Sequence, residues 1–244
     1  MRVWGRTILS AAIIALSASI AGAAVMSGQT DDFQDGTVAN WTNGGSAAAP
    51  TNVANGGPLG LGDKYMHVVS GSNLATFNTT QWIGNFSAAN VLDIALDLRN
   101  PNLTVLDMRV VIFGPSGSRW TSAVPAVVPA DNLWHHYVKS LRQTDLMNVV
   151  GGDTYAGTIT DVSRMQIRHE VTPGSGGTPF TGAVDIDNVS SVVPEPATLA
   201  PFGALAVSLA CRRRRWRWPP FLQSDSAHGA LPSLKRMRSH GGLR

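Results

Sequence analysis

The chain has few of the residues on which most enzymes and disulfide-bonded secreted domains depend. Its 244 residues include one cysteine, Cys211, and two glutamates, Glu170 and Glu195. A single cysteine excludes a disulfide within the chain, so an exported body must be stabilised by its apolar core or by a bound metal ion. Charged residues make up only 14% of the chain, whereas 25 glycines and 14 prolines are present. This composition favours a turn-rich β fold over a helical one.

The net charge of +3 averages three regions of different sign. Residues 1–24 contain two basic residues and no acidic ones. Residues 25–193 contain eight Lys/Arg and fourteen Asp/Glu, a balance of −6, and the chain from Pro194 onward contains nine basic and two acidic residues, a balance of +7. Basic residues beside an apolar run set membrane orientation more often than they bind nucleic acid. We therefore predict no nucleic-acid partner.

The scarcity of glutamate also argues against catalysis. A jelly-roll glycosidase needs two facing carboxylates, usually including a glutamate of raised pKa. Asp93 and Asp97 fall on one face of a predicted strand, but the strand rise separates them by about 13 Å, beyond the usual hydrolytic spacing. No Gly-x-Ser-x-Gly elbow is present, and His169-Glu170 lacks the second histidine of a zinc motif. We therefore predict that the protein is not an enzyme. The alternative, an enzyme, would require several carboxylates of shifted pKa in one cleft.

The N-terminus has the features of a secretory signal peptide over residues 1–24, which predicts a signal helix and export. Arg2 and Arg6 precede the apolar stretch Ile8–Ile20, and Ala21-Gly22-Ala23 supplies the small residues of a cleavage site. An uncleaved signal anchor is the alternative, but the small-residue ending favours cleavage.

The body, residues 31–192, is predicted to be all-β, an antiparallel β-sandwich of the jelly-roll type. In Val91–Leu98 every second residue is apolar, and Asp93 and Asp97 occupy the opposite face, as in a half-buried strand. Val105–Phe113 repeats this alternation, and clusters of Gly, Pro, Asn and Ser supply the turns. We predict one helical turn within Thr144–Tyr155. Further strands are predicted at Tyr65–Val69, Leu74–Phe77, Trp134–Leu141, Met165–His169 and Ala183–Val189.

A short motif, an apolar run and a block of cations follow one another near the C-terminus. The apolar run Thr198–Cys211 has fourteen residues, fewer than the ~20 that span a bilayer comfortably. Four arginines cannot enter hydrocarbon, so they would stop transfer on the cytoplasmic side. The motif is Val193, Pro194, Glu195 and Pro196, and the cations are Arg212, Arg213, Arg214 and Arg215.

Residues 193–215 resemble the PEP-CTERM sorting signal of Gram-negative bacteria that produce exopolysaccharide. The resemblance implies a short C-terminal transmembrane helix, with the membrane contacted through residues 198–211, and an exosortase-type processing enzyme as a partner. It also implies an inner-membrane anchor before processing, followed by release to the cell surface or the extracellular matrix. Residues 216–244 extend past the point where such signals normally end. Their composition predicts a disordered basic tail, either a cytoplasmic tail or an artefact of where the reading frame was ended.

Motifs spread over the body resemble the laminin IV type A (laminin B) domain. The resemblance implies a relation to the galactose-binding-like sandwiches, which include many carbohydrate-binding modules. The residues that carry it are Asp32-Phe33, Trp41, Trp82–Ala89, Asp93–Arg99, Trp134, Ile167-Arg168 and Asp185–Val189.

Acidic residues at the two ends of the body predict a structural calcium site. Asp31 and Asp32 lie at the first strand, and Asp185 and Asp187, followed by Asn188, lie at the last. Terminal strands of a jelly roll commonly lie side by side, and calcium prefers hard oxygen ligands such as these. The alternative is that these aspartates only flank strand ends in water.

Sugar binding would use exposed aromatic rings as stacking platforms. Trp41, Trp82 and Trp120 are the candidates, together with Trp134, and a position in the core or at its rim is the alternative for each. These observations predict an exported, non-catalytic protein of the cell surface or extracellular matrix, associated with exopolysaccharide. Two alternatives remain: a carbohydrate-binding module with structural calcium, and a self-associating structural matrix protein.

Overall fold

Two antiparallel β-sheets packed face to face form the framework of residues 24–44 and 48–192, which the computed structural model describes. A 3-10 turn covers Gln143–Asp145, and a short helix, α1, covers Tyr155–Thr160. The strands are β1 (Thr30–Asp31), β2 (Thr42–Asn43), β3 (Thr51–Val53), β4 (Tyr65–Ser70), β5 (Ala75–Asn78), β6 (Asp93–Arg99), β7 (Leu106–Phe113), β8 (Arg119–Ser122), β9 (Ala126–Val128), β10 (Trp134–Ser140), β11 (Leu146–Val150), β12 (Arg164–His169) and β13 (Gly182–Ser191).

The strand order confirms the predicted antiparallel β-sandwich. Sheet A has the order β10-β6-β13-β4-β3, and β1 also pairs with β13. Sheet B has the order β11-β8-β7-β12-β5-β2, and β9 also pairs with β7. Thr30 lies opposite Ser190 and Asp31 opposite Val189, so the first and last strands are neighbours, as predicted.

Residues 24–192 contain all the described strands of this sandwich and the core between its sheets. Each of the thirteen strands finds its hydrogen-bonding partner within this range. The apolar core, from Val25 to Val189, also lies within it, and the contacts of the chain separate Met1–Pro194 from the remainder. A segment with its own core and complete sheets folds as an independent unit.

The alternation of apolar residues predicted β6 and β7 correctly, whereas the prediction for Thr144–Tyr155 was less accurate. Ile94, Leu96 and Leu98 of β6 are buried, as are the alternating apolar residues of β7. The helical turn predicted within Thr144–Tyr155 is wrong in position, because Leu146–Val150 forms the edge strand β11 and α1 begins at Tyr155. The Thr154 hydroxyl caps α1 by accepting a hydrogen bond from the Gly157 N–H at 3.1 Å.

The predicted signal helix and C-terminal membrane segment lie outside the described residues. Within residues 24–44 and 48–192, no helix has both the length and the apolar character needed to cross a membrane. The PEP-CTERM-like motif and the basic tail also lie outside the described residues.

A β-bulge in β13 changes which of its residues face the core. Val184 and Ile186 point into the core, and the pairing of β13 with β6 is regular up to the pair Asp187–Asp97. The pairing then shifts, and the next core residue is Val189. Asn188, at the shift, has a φ of 49°. The bulge therefore leaves Asp187 and Asn188 on the outer side of sheet A, as bulges often do beside functional sites.

Asp31 is a buried hydrogen-bond hub that joins β1 to two tryptophans of the core. Its Oδ2 accepts hydrogen bonds from Trp41 Nε1 at 2.7 Å, Trp82 Nε1 at 2.6 Å and Gln81 Nε2 at 3.1 Å. Burial raises the pKa of Asp31, and the three donors act against this shift. Its carboxylate is thus committed to the interior of the protein.

Replacing Asp31 by leucine should destabilise the body strongly. Two buried indole N–H groups would lose their acceptor, at about 1–3 kcal/mol each, so D31L should lower the free energy of unfolding by about 3 kcal/mol or more. Urea unfolding of residues 24–192 measures this. The same substitution at the exposed Asp161 is the control and should change stability by less than about 0.5 kcal/mol. A D31L variant within 1 kcal/mol of the wild type, roughly the cost of one hydrogen bond, would contradict the role of the hub.

Candidate functional site

The loop between β3 and β4, residues 54–64, folds over the outer side of β13 and is tied to neighbouring strands. The Gly56 carbonyl accepts hydrogen bonds from Arg99 Nη1 at 3.1 Å and from Trp134 Nε1 at 2.8 Å. The Gly57 N–H donates to the Asp63 carbonyl at 3.0 Å. The loop therefore covers two carboxylates of β13, Asp185 and Asp187, which are 2% and 0% exposed.

Asp185 is fully paired beneath this loop. Its Oδ2 accepts a hydrogen bond from Arg99 Nε at 2.8 Å, and its Oδ1 lies 2.5 Å from His67 Nδ1. The Arg99 guanidinium lies against the rings of Tyr65 and Trp134, at 4.8 and 5.0 Å from their centroids. Asp185 was predicted to be a calcium ligand, but its charge is already balanced by the Arg99 guanidinium and it also pairs with His67, which corrects that prediction.

Asp187, two residues on, is buried without a full set of partners. Its Oδ1 accepts a hydrogen bond from the Asn188 N–H at 2.7 Å, whereas its Oδ2 has no partner among the described residues. Burial, together with the negative charges of Asp63, Asp97 and Asp32, raises the pKa of Asp187 from 3.8 to about 7, and the hydrogen bond from the Asn188 N–H acts against this shift. A buried polar atom without a partner requires an explanation, such as an ion.

Asp63 brings a second carboxylate to the same place. A Cβ atom on Gly57 would stand 2.5 Å from Asp63 Oδ2 and 3.2 Å from Asp187 Oδ2. The two carboxylates therefore face one small space, which a side chain at position 57 would fill. Asp63 itself accepts hydrogen bonds from Gln34 Nε2 and from the Leu59 N–H, both at 2.7 Å.

An open pocket of about 430 Å³ lies above these carboxylates, and we refer to it as the acidic pocket. Its wall includes Asn188, whose Nδ2 donates to Asp97 Oδ2 at 2.8 Å. The leucines of the covering loop, Leu59 and Leu61, are 89% and 96% exposed at its rim. The full lining is Asp32, Gln34, Leu59, Leu61, Gly62, Asp63 and Asn188.

The donor set of the acidic pocket suits a hard cation only if neutral oxygens complete it. Within residues 24–44 and 48–192, no three His, Cys, Asp or Glu side chains converge closely enough to hold a metal ion by themselves. Calcium takes about six to eight oxygen ligands and accepts amide and backbone carbonyl oxygens among them. Asp63 and Asp187 would be the two carboxylates of such a set, with the amide oxygen of Asn188 and the backbone carbonyl of Asp32 as neutral ligands, whereas Asp31 of the predicted set accepts hydrogen bonds from the two core tryptophans.

The tryptophans predicted to stack on sugars are not free to do so. Trp41 and Trp82 are 2% and 0% exposed and donate their indole N–H groups to Asp31. Trp120 is half-buried against the core, edge-on to Tyr155 at a centroid distance of 5.7 Å. Trp41 and Trp82 are therefore core residues and cannot be sugar platforms, and Trp120 lies at the rim of the core, which are the positions weighed against a platform for these rings.

A second candidate surface lies on the outer side of sheet B. Cross-strand pairing places Phe113 opposite both Arg164 and Arg119, and Gln166 opposite Phe77. The Arg164 guanidinium lies 4.7 Å from the ring centroids of Phe77 and Phe113, and that of Arg119 lies 5.2 Å from Phe113. We refer to these five residues as the arginine–phenylalanine face. Sequence reasoning missed it because its members come from four strands.

Comparisons with known proteins assign no family to this chain. No family model matches the chain, and no curated protein matches it. An exo-β-agarase structure matches with a TM-score of 0.46 and 11% identity, over 72% of this chain and 26% of the agarase chain. The chain thus spans about a quarter of that protein's length.

Carbohydrate-binding modules are also among the similar structures. The family 11 module of the cellulosomal cellulase Lic26A-Cel5E of Clostridium thermocellum has a TM-score of 0.45 and 12% identity, over 71% of this chain and 99% of the module. CBM28, a module specific for non-crystalline cellulose, has a TM-score of 0.42 and 15% identity, over 71% of this chain and 100% of the module. At these values the similarity does not identify a ligand for this chain.

The raised pKa of Asp187 should make stability depend on pH. With a pKa of about 7 in the folded body and 3.8 as its ordinary value, Asp187 is protonated only in the folded state between these values. Its contribution is therefore lost as pH rises towards and through 7, by about 1.4 kcal/mol between pH 6 and 8. In chelator, the free energy of unfolding of the wild type relative to D187N should fall by this amount over that interval.

Comparison with D187N removes the contributions of other groups, such as His169, whose pKa is lowered by burial. D93N, which alters a carboxylate held by Arg142 at 2.7 Å on the same sheet, is the matched control and should leave the pH dependence as it is in the wild type. Parallel pH profiles for the wild type and D187N would contradict this prediction.

Proposed function

We propose that this chain is an exported, non-catalytic β-sandwich protein of the cell surface or extracellular matrix, which binds polysaccharide and holds a structural calcium ion. The observation that carries the proposal is Asp187 Oδ2, which is buried without a partner among the described residues and lies close to the carboxylate of Asp63, a residue of the acidic pocket. The two carboxylates considered for hydrolysis in the sequence are engaged in ion pairs: Asp93 pairs with Arg142 and Asp97 with His136.

Calcium would bind at Asp63 and Asp187, with Asp32 and Asn188 supplying further oxygens. When bound, the ion supplies positive charge that offsets the repulsion among these carboxylates. The residues that hold it come from the β1 end, the 54–64 loop and the bulge of β13. Their attachment to one ion would fix the covering loop against sheet A.

Polysaccharide would bind across the arginine–phenylalanine face. Phe77, Arg119 and Arg164 are half-buried there, so each presents part of its surface to solvent. Apolar ring edges, guanidinium groups and the amide of Gln166 supply the mixture of stacking and hydrogen bonding that sugars require. This surface replaces the buried tryptophans as the proposed sugar contact.

Export and sorting are part of the same proposal and are supported by the sequence. The signal-peptide pattern of residues 1–24 and the PEP-CTERM-like order of residues 193–215 favour transfer across the inner membrane and processing by an exosortase-type enzyme. The four arginines at 212–215 would keep the C-terminal end on the cytoplasmic side of the inner membrane. The Pro-Glu-Pro motif would then be accessible to the processing enzyme on the other side.

Thermal unfolding of residues 24–192 tests calcium and polysaccharide binding together. A ligand that binds only the folded body should raise its stability by about 2.7 kcal/mol at a hundredfold excess over its Kd. We expect calcium to raise the unfolding temperature of the wild type and not that of D187N, and we expect a polysaccharide to raise it further. Equal unfolding temperatures in calcium, in chelator and with every polysaccharide would refute the proposal.

The sorting motif can be tested in the full chain, expressed in a bacterium that encodes an exosortase. Glu195 is held between two prolines of restricted conformation, so it is the side chain that a processing enzyme can read. Glu195→Ala should leave the protein unprocessed in the inner-membrane fraction, measured by fractionation and by the mass of the mature chain. Asp225→Ala in the tail is the control, and normal release of E195A would exclude this role for the motif.

A further inference from the structure

Basic residues of the body are concentrated on the outer side of sheet B. Residues 25–193 have a balance of −6 and contain only eight Lys/Arg. Four of these, Arg109, Arg119, Arg164 and Arg168, have cross-strand partners on this one side of β7, β8 and β12. Among the residues described there, Glu170 is the carboxylate paired with them, at 2.8 Å from Arg168 and 3.9 Å from Arg109. This side of an acidic body is therefore locally positive.

Two of the four arginines have structural roles. Arg109 is 3% exposed, and its guanidinium donates to the carbonyls of Ser122, Ala123, Glu170 and Val171 at 2.5–2.9 Å. Arg168 is 2% exposed and donates to Glu170 Oε1, to the Gly174 carbonyl and to the Ser175 carbonyl. These contacts hold the loop after β12 against the sheet.

Arg119 and Arg164 are held differently. Both are half-buried, and neither forms an ion pair with a described carboxylate. The Arg119 guanidinium donates only to the Ser175 carbonyl, and the Arg164 guanidinium has no hydrogen-bond partner among the described residues. The Nε atoms of both are buried without a partner. Their planes rest on Phe77 and Phe113, which orients the guanidinium groups without using their donors.

We propose that Arg119 and Arg164 form a subsite for the acidic groups of a polysaccharide, the carboxylate of a uronic acid or a sulfate ester. This inference rests on the proposed polysaccharide-binding function and names the ligand class. A guanidinium presents its donors in a planar fork that matches two oxygens of a carboxylate or sulfate. Two such forks fixed on aromatic rings lose little side-chain freedom when they bind, and the body's negative charge elsewhere would repel acidic chains that approach in another orientation.

The test compares charge-matched variants of residues 24–192. Arg164→Gln removes a guanidinium that has no described hydrogen bond, so the fold should be retained, which the unfolding temperature checks. Arg142→Gln is the control, because it removes the same charge at an exposed position that pairs with Asp93. Arg119→Gln and Arg164→Lys complete the set, and the lysine keeps the charge but loses the fork.

The probes are xanthan and hyaluronan, each also in carboxyl-reduced form, and dextran sulfate with its parent dextran. Affinity gel electrophoresis at about 0.15 M salt measures binding under physiological screening. We expect the body to bind acidic forms and to discriminate against their neutral counterparts. R164Q and R119Q should each weaken binding about tenfold or more, as expected for lost hydrogen bonds to a charged group, R164K less, and R142Q by less than about twofold.

The outcomes distinguish a failure of the acidic subsite from a failure of the proposed polysaccharide binding. Preference for uronates over dextran sulfate, or the reverse, identifies the acidic group. Equal binding of acidic and neutral forms, or equal losses in R164Q and R142Q, would overturn the acidic subsite while leaving polysaccharide binding in place. Failure of the folded body to bind any polysaccharide would overturn both, and tighter Arg164-dependent binding of single-stranded DNA would overturn the choice of a polysaccharide.

Discussion

The burial of two carboxylates on one side of β13 is the constraint around which much of sheet A is arranged. A buried carboxylate must be paired or kept neutral, because removing its charge from water is costly. Asp185 meets this requirement through Arg99 and His67, and Arg99 in turn is held by Tyr65, Trp134 and the Gly56 carbonyl. The 54–64 loop is thereby fixed over the sheet.

Asp187 meets the same requirement only in part. Its second oxygen has no partner in the described part of the chain, and burial together with three other aspartates raises its pKa. The acidic pocket thus concentrates negative charge on sheet A, while the outer side of sheet B concentrates arginines. A body with a balance of −6 therefore presents two chemically different outer surfaces, one suited to a cation and the other to anionic groups.

Much of the strand pattern could be predicted from the sequence, because alternation is a local property of a strand. β6 and β7 alternate strictly and were located within two residues of their observed bounds. β11 was missed because Leu146–Val150 lies at an edge and mixes exposed apolar and polar residues, so it carries no period of two. The bulge of β13 could not be predicted from the sequence either, because a shift in register depends on pairing with β6.

The candidate sites required the tertiary structure. The sequence by itself determined that acidic residues flank the first and last strands, and that the body is acidic while the chain end is basic. Only the tertiary packing decided that the Asp31 carboxylate accepts hydrogen bonds from two indoles and that Asp63 lies beside Asp187. It also decided that the guanidinium groups of Arg119 and Arg164 both lie against Phe113. The physical reason is that alternation and charge are read along the chain, whereas pairing of buried polar groups depends on residues from distant strands that fold into contact.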